Sequence, residues 1–159
     1  MSAAVTAMLL HLAHQAAFGA VAAAGFGVLF NFGGRALIWC AVAGALALAV
    51  RTLVQQHGGS LEAATFLAAI ATSCAAILAR GWLGPACNAI ALAGCIPMVP
   101  GAFFGEAMLG YMAVAADTSG QSTAAIVAAS QAFIRVLSIV GSIGAGLAIP
   151  AYLLKSKQF

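Results

Sequence analysis

Apolar residues run along this chain in five long blocks, separated by short clusters of polar residues, glycine and proline. The first block, about residues 7–29, carries His11, His14 and Gln15 in its early turns and ends in Gly25, Gly27 and Phe30-Asn31-Phe32-Gly33-Gly34-Arg35. The second, about 36–54, has Arg51 near its far end and closes on Gln55-Gln56-His57-Gly58-Gly59. The third, about 61–79, stops at Arg80-Gly81, before Trp82 and Pro85. The fourth, about 86–116, is interrupted at Pro97 and Pro100 and ends at Asp117-Thr118-Ser119-Gly120, and the fifth, about 123–154, is followed by Lys155 and Lys157. Nearly uncharged runs of about 18 residues or more are long enough to cross a hydrocarbon core of about 30 Å, and in lipid the backbone must bond to itself, which favours helices. The expected fold is therefore a single all-α membrane domain, residues 1–159, with about five transmembrane helices.

The fourth block holds the most unusual local sequence, Cys95-Ile96-Pro97-Met98-Val99-Pro100-Gly101. Each proline removes an amide donor and clashes with the preceding turn, so a helix entering here breaks between Pro97 and Gly101. At membrane depth the freed backbone groups must be satisfied by protein or by a water-filled cavity. One reading is a simple kink. The other is a discontinuous helix around a binding site, with Pro97, Pro100, Gly101 and Ala102 lining it and the Gly101 and Ala102 amides favouring an anionic group.

Composition strengthens the membrane assignment: 64% of residues are hydrophobic and 6% charged, against about 25% charged in soluble domains. The formal net charge of +3 is small and scattered, so no nucleic-acid partner is expected. The charges act instead as topology markers. With five spans, Arg35, Arg80, Lys155 and Lys157 share one side, whereas Arg51, Glu62 and Asp117 lie near the other. The positive-inside rule then puts the amino terminus outside and the carboxyl terminus in the cytoplasm. If residues 86–116 formed a re-entrant hairpin instead, four full spans would remain and the bias would disappear. The first block is longer than a signal-peptide core and no Lys or Arg precedes it, so it reads as a retained span rather than a signal cleaved at Ala22-Ala23-Ala24.

Small residues four apart mark faces where helices can approach closely: Ala41, Ala45 and Ala49; Ala64, Ala68, Thr72 and Ala76; Ser138, Ser142 and Gly146. They serve tight packing within the chain or a homo-oligomer interface. Cys40, Cys74, Cys87 and Cys95 lack metal-site or C-x-x-C spacing and read as small core residues, with redox or metal roles as the alternative.

No catalytic constellation presents itself, and three acidic side chains leave an enzyme little to work with. No cofactor is implied. Ionisable groups inside spans carry most weight, because a charge at the bilayer centre costs about 2.5–3.5 kcal/mol even on insertion scales. Glu106 lies about 13 residues before the turn centred near Ser119-Gly120 and Arg135 about 15 after it, a depth difference of roughly 3 Å. They form either a structural ion pair or a functional site, in which Arg135 binds a substrate carboxylate and Glu106 couples protons. A snorkelling arginine and an unrelated glutamate are the third option. His11 and His14, three apart on one helical face, could bind metal or relay protons, but no third ligand accompanies them. Asn31 reads as a cap or turn residue, with a polar cavity contact as the alternative.

Four segments carry a family resemblance: Gly25-Phe26-Gly27-Val28-Leu29-Phe30-Asn31, Arg35-Ala36-Leu37-Ile38-Trp39-Cys40, Ile96-Pro97-Met98-Val99-Pro100-Gly101, and Ser138-Ile139-Val140-Gly141 through Ile149-Pro150. Together they resemble the carboxyl-terminal half of the threonine/serine exporter family, and more closely the small subunit of split bacterial exporters linked to succinate export. The resemblance implies an exporter of small carboxylate-bearing metabolites in the bacterial inner membrane. An ion gradient would drive it, and it would work with a larger subunit corresponding to the family's amino-terminal half. A non-transporting subunit that stabilises that partner, and a self-assembled channel, are the competing readings.

Overall fold

A computed structural model describes residues 3–117 and 123–155, and every long element in it is helical. The helices are α1 (Ala3–Leu29), α2 (Gly34–Gln56), α3 (Leu61–Leu78), the short α4 (Arg80–Leu83), α5 (Cys87–Cys95), α6 (Gly101–Ala116) and α7 (Thr123–Lys155). Single 3₁₀ turns, Gly84–Ala86 and Ile96–Met98, flank α5. The turn expected around Ser119-Gly120, and Lys157, lie outside the described residues.

Among the described residues, five stretches are long and apolar enough to cross a membrane: Val5–Leu29, Gly34–Gln56, Leu61–Leu78, Arg80–Met98 and Thr123–Leu154. The number is the expected one, but the fourth differs in extent. Arg80–Leu83 is helical rather than loop, and the 3₁₀ turn at Pro85 carries the chain straight into α5, so this span begins at Arg80 and ends at Met98. The proline break therefore closes the fourth span instead of lying inside it. The apolar α6 beyond has 16 residues, about 24 Å, less than the hydrocarbon thickness.

The connections follow from local chemistry. Asn31 adopts φ 57°, and bonds from the Phe32 amide to the Gly27 carbonyl and from the Asn31 amide to the Val28 carbonyl close α1 as a Schellman motif. Gly58, at φ 84°, closes α2 in the same way, with Gly59 bonding back to Val54 and Gly58 to Gln55. Ser60 then caps α3, its Oγ accepting from the Ala63 amide at 3.2 Å.

Two compact units result, one holding residues up to Met98 together with those from Ser142 onward, the other Val99–Gly141. Small side chains are buried in the first unit and large apolar ones face outward. Ala23, Cys40, Ala47, Ala64, Ala68, Ala93 and Cys95 are fully buried, whereas Leu10, Val21, Leu29, Ile38 and Leu78 are exposed. That arrangement suits lipid, where association relies on close backbone contact because tails solvate large apolar groups equally well. At the α1/α2 crossing, a Cβ on Gly44 would run into the Gly19 carbonyl and the Ala23 methyl. From another side Gly94 of α5 meets the same strip, its added Cβ falling 2.6 Å from Ala43 Cβ.

On α3 the face expected from sequence is the buried one, Ala64, Ala68, Thr72 and Ala76. On α2 it is not. Cys40, Ala43, Gly44 and Ala47 are buried, while Ala41, Ala45 and Ala49 are only partly covered. Gly44 admits a bare backbone contact that no alanine allows, and this rotates α2 toward it. On α7, Gly146 sits against Ala69 and the Phe66 carbonyl, but Ser138 is exposed. Ser73 Oγ donates to the Leu147 carbonyl at 3.0 Å, tying α3 to the second half of α7.

In the second unit α6 packs antiparallel to the first half of α7. Gly110 lies against Ala129, Tyr111 Oη donates to Ser130 Oγ at 3.2 Å, and Ala107, Ala132, Val136 and Ile139 are buried.

Candidate functional site

Below the Gly19–Gly44 crossing α1 and α2 separate. Gln15 and Leu48 stand one turn beyond it, His11 and Thr52 two turns beyond, and the space between them is a cavity of about 490 Å³. Its wall comes from His11 and Gln15 of α1, from Leu48, Arg51, Thr52, Gln55 and Gln56 of α2, and from Pro97 at the end of the fourth span. The volume falls within the usual 300–1,000 Å³ of small-molecule sites. An apolar pocket behind Trp39 and Ile90 offers only about 60 Å³.

Polar side chains four apart, His11/Gln15, Arg51/Gln55 and Thr52/Gln56, put amide, hydroxyl, imidazole and guanidinium groups around one space. Among the described residues of the wall, Arg51 is the one that is permanently charged, and none is a carboxylate. Its guanidinium donates to the Met98 carbonyl at 3.4 Å. That carbonyl is the last of the 3₁₀ turn, so the proline break has removed its helical partner, and a cation there also meets the negative end of the helix dipole.

Of the residues expected at the site, Pro97 lines this cavity. Pro100 takes φ −83° and ψ 65°, an inverse γ-turn in which the Gly101 amide donates to the Val99 carbonyl at 2.9 Å. Gly101's amide, expected to be free for an anion, is thus committed to the chain. Ala102 follows on the exposed side of the first turn of α6. Glu106 and Arg135 both belong to the second unit, on exposed faces. Gly110 opposite Ala129 and Phe103 beside Arg135 fix the register, which leaves Glu106 and Arg135 about two residues, or roughly 3 Å, apart in depth, as counted from the sequence. The Arg135 guanidinium lies 5.1 Å from the centroid of the Phe103 ring, a cation–π contact.

His11 and His14 separate in role. His11 joins the cavity, while His14 packs edge-on against Phe18 with centroids 4.6 Å apart. Among the described residues no group of three His, Cys, Asp or Glu side chains could hold a metal. Cys40, Cys87 and Cys95 are buried free thiols and Cys74 is half-buried.

Sequence reasoning passed over Arg51, Thr52, Gln55, Gln56 and Gln15. It read Arg51 as a loop-side topology charge and the glutamines as the close of a helix. The usable signal was the repeated i,i+4 spacing of polar residues on two helices that a short turn makes antiparallel neighbours.

Five apolar helices, with a polar cavity walled by three chain segments, define a multi-pass membrane protein with room for a small polar ligand. The sequence matches the model of the family described as "Threonine/Serine exporter, ThrE" over residues 15–153, and the chain belongs to that family. Its role is accordingly a transport role of the threonine/serine exporter type. No solved structure matches the chain.

Proposed function

We propose that the chain is a subunit of a secondary active exporter of small carboxylate-bearing metabolites, threonine and serine or a succinate-like dicarboxylate. In this reading it resides in the bacterial inner membrane and works with a larger subunit of the same family. The observation that carries the reading is the polar cavity beside the proline break, whereas the buried hydroxyls elsewhere, Thr65, Thr72 and Ser73, are all bonded to backbone carbonyls.

The amino terminus lies outside and the carboxyl terminus in the cytoplasm in this proposal. Arg35 and Arg80 then mark the cytoplasmic end of the bundle, together with Trp39 and Trp82, whose rings are 6.1 Å apart and suit a membrane interface. The cavity, at the opposite helix ends, faces outward as a release-side vestibule. Pro100, Gly101, Ala102 and Arg135 are further candidate contacts on the substrate's route, and Glu106 is the proton-coupling carboxylate.

Efflux of radiolabelled threonine and succinate from preloaded cells, with the larger subunit co-expressed and this chain present or deleted, tests the reading. Deletion should reduce efflux to the vector background at constant partner abundance. If efflux falls only in proportion to partner abundance, the chain is a scaffold. Glu106→Gln should make export in inverted vesicles indifferent to an imposed pH gradient, and a gradient response equal to wild type removes Glu106 from coupling.

A further inference from the structure

We infer that Arg51 is the carboxylate anchor of this protein, and that it holds the proline break and a bound anion at the same time. The inference rests on the transport reading above and adds the residue that selects the charge of the cargo.

Three observations converge on it. Arg51 is half-buried about 8 Å inside the end of α2, where a permanent charge is costly unless something compensates it. The only bond described for its guanidinium is the one to the Met98 carbonyl, made through one terminal nitrogen at 3.4 Å, long for a charge-assisted hydrogen bond. A neutral carbonyl supplies a dipole, not a counter-charge, and the described residues of the cavity wall include no Asp or Glu. The cavity is thus left with an excess positive charge.

Guanidinium carries five N–H donors in a rigid planar fork that matches a carboxylate with two parallel bonds. One nitrogen suffices for Met98, so another edge remains for an anion entering the cavity. Gln15, Thr52 and Gln55 surround that space with hydroxyl and amide groups, which suit the amino or hydroxyl substituents of a small polar acid. A metabolite without a carboxylate gains none of the charge pairing, so the site favours acids over their amides. Because Met98 is fully buried at the end of the fourth span, its bond to one Arg51 nitrogen fixes where the free edge of the fork meets the anion. Occupancy of the site and geometry of the break are thereby linked.

Purified full-length chain in lipid nanodiscs, titrated with L-threonine, succinate and L-threoninamide, tests this. Wild type should bind one of the two acids at least about tenfold more tightly than the amide, the size of one charged bidentate contact. Arg51→Gln should abolish the preference, Arg51→Lys should retain part of it, and Arg35→Gln, outside the cavity, should leave it intact. Should Arg51→Gln fail to fold, phenylglyoxal labelling of wild type read by mass spectrometry serves instead: threonine or succinate should protect Arg51 and leave Arg35 reactive. Equal affinity for acid and amide, a preference that survives Arg51→Gln, or unprotected Arg51 overturns the anchor. Chain-dependent efflux that persists in any of those cases leaves the export reading standing, whereas efflux independent of the chain removes that reading itself.

Discussion

Gly44→Leu should leave no folded protein. The Gly44 position faces the Gly19 carbonyl and the Ala23 methyl so closely that even one added carbon overlaps both, and the Gly19 carbonyl carbon would lie 2.9 Å away. Backbone atoms cannot rotate aside as a side-chain tip does, so α1 and α2 would have to separate along their length. Gly44→Ala gains about 1 kcal/mol of helix propensity but meets an overpacking cost of about 1–3 kcal/mol, a modest net loss. Leucine adds three more carbons at the same point. It also removes the close backbone approach on which helix association in lipid depends. Detergent-solubilised Gly44→Leu should elute as aggregate with no cooperative thermal transition, and Gly44→Ala should melt a few degrees below wild type. Gly141→Ala in α7, where an added Cβ meets nothing within 4 Å, should match wild type or melt slightly above it. A Gly44→Leu protein that is monodisperse with wild-type melting would place the α1/α2 crossing elsewhere. Since the cavity opens one and two turns from this crossing, the same variant should also lose all export.

Replacing Pro97 and Pro100 together by alanine should abolish export in a protein that still inserts and folds. Each proline withholds an amide, and each costs about 3 kcal/mol relative to alanine in a helix interior. Restoring both amides lets Cys87–Cys95 and Gly101–Ala116 join into one continuous helix. The Ala102 amide would then take the Met98 carbonyl, and Arg51 would lose the acceptor that holds it at the cavity wall. The variant should therefore be at least as stable as wild type and inactive, a combination that separates function from folding. Membrane abundance, melting temperature and efflux of labelled threonine or succinate measured on one preparation check it. Efflux at the wild-type rate would show that the break is only a kink.

The helices could be read from residues close together in the chain, because a backbone in lipid has few options beyond the helix and hydropathy is a local property. Turn chemistry was equally local. Asn31 and Gly58 accept the left-handed conformation that ends α1 and α2, and Ser60 supplies an oxygen to the open start of α3. The break at Pro97 and Pro100 was visible for the same reason, since a missing amide is a property of the residue itself.

Rotation of the helices about their own axes was not local. Alanine at every fourth position occurs on several faces of α2, and the choice fell to Gly44 because Gly19, 25 residues away, allowed direct backbone contact there. The extent of the fourth span depended in turn on Arg80–Leu83 adopting a helical turn that its glycine and the following proline do not announce. From the sequence by itself, then, came the class of protein, the number of spans, the ends of all but the fourth and the residues of the break, all set by hydropathy and by residues that gain or lose a backbone bond. Only the tertiary structure decided which arginine faces a cavity. Arg135 lies deeper in its span and drew the greater attention, yet its described neighbour is Phe103, whereas Arg51 meets His11, Gln15 and Pro97. The physical reason is that an ionisable group takes its environment from segments about 40 residues away in either direction, and only packing brings those segments together.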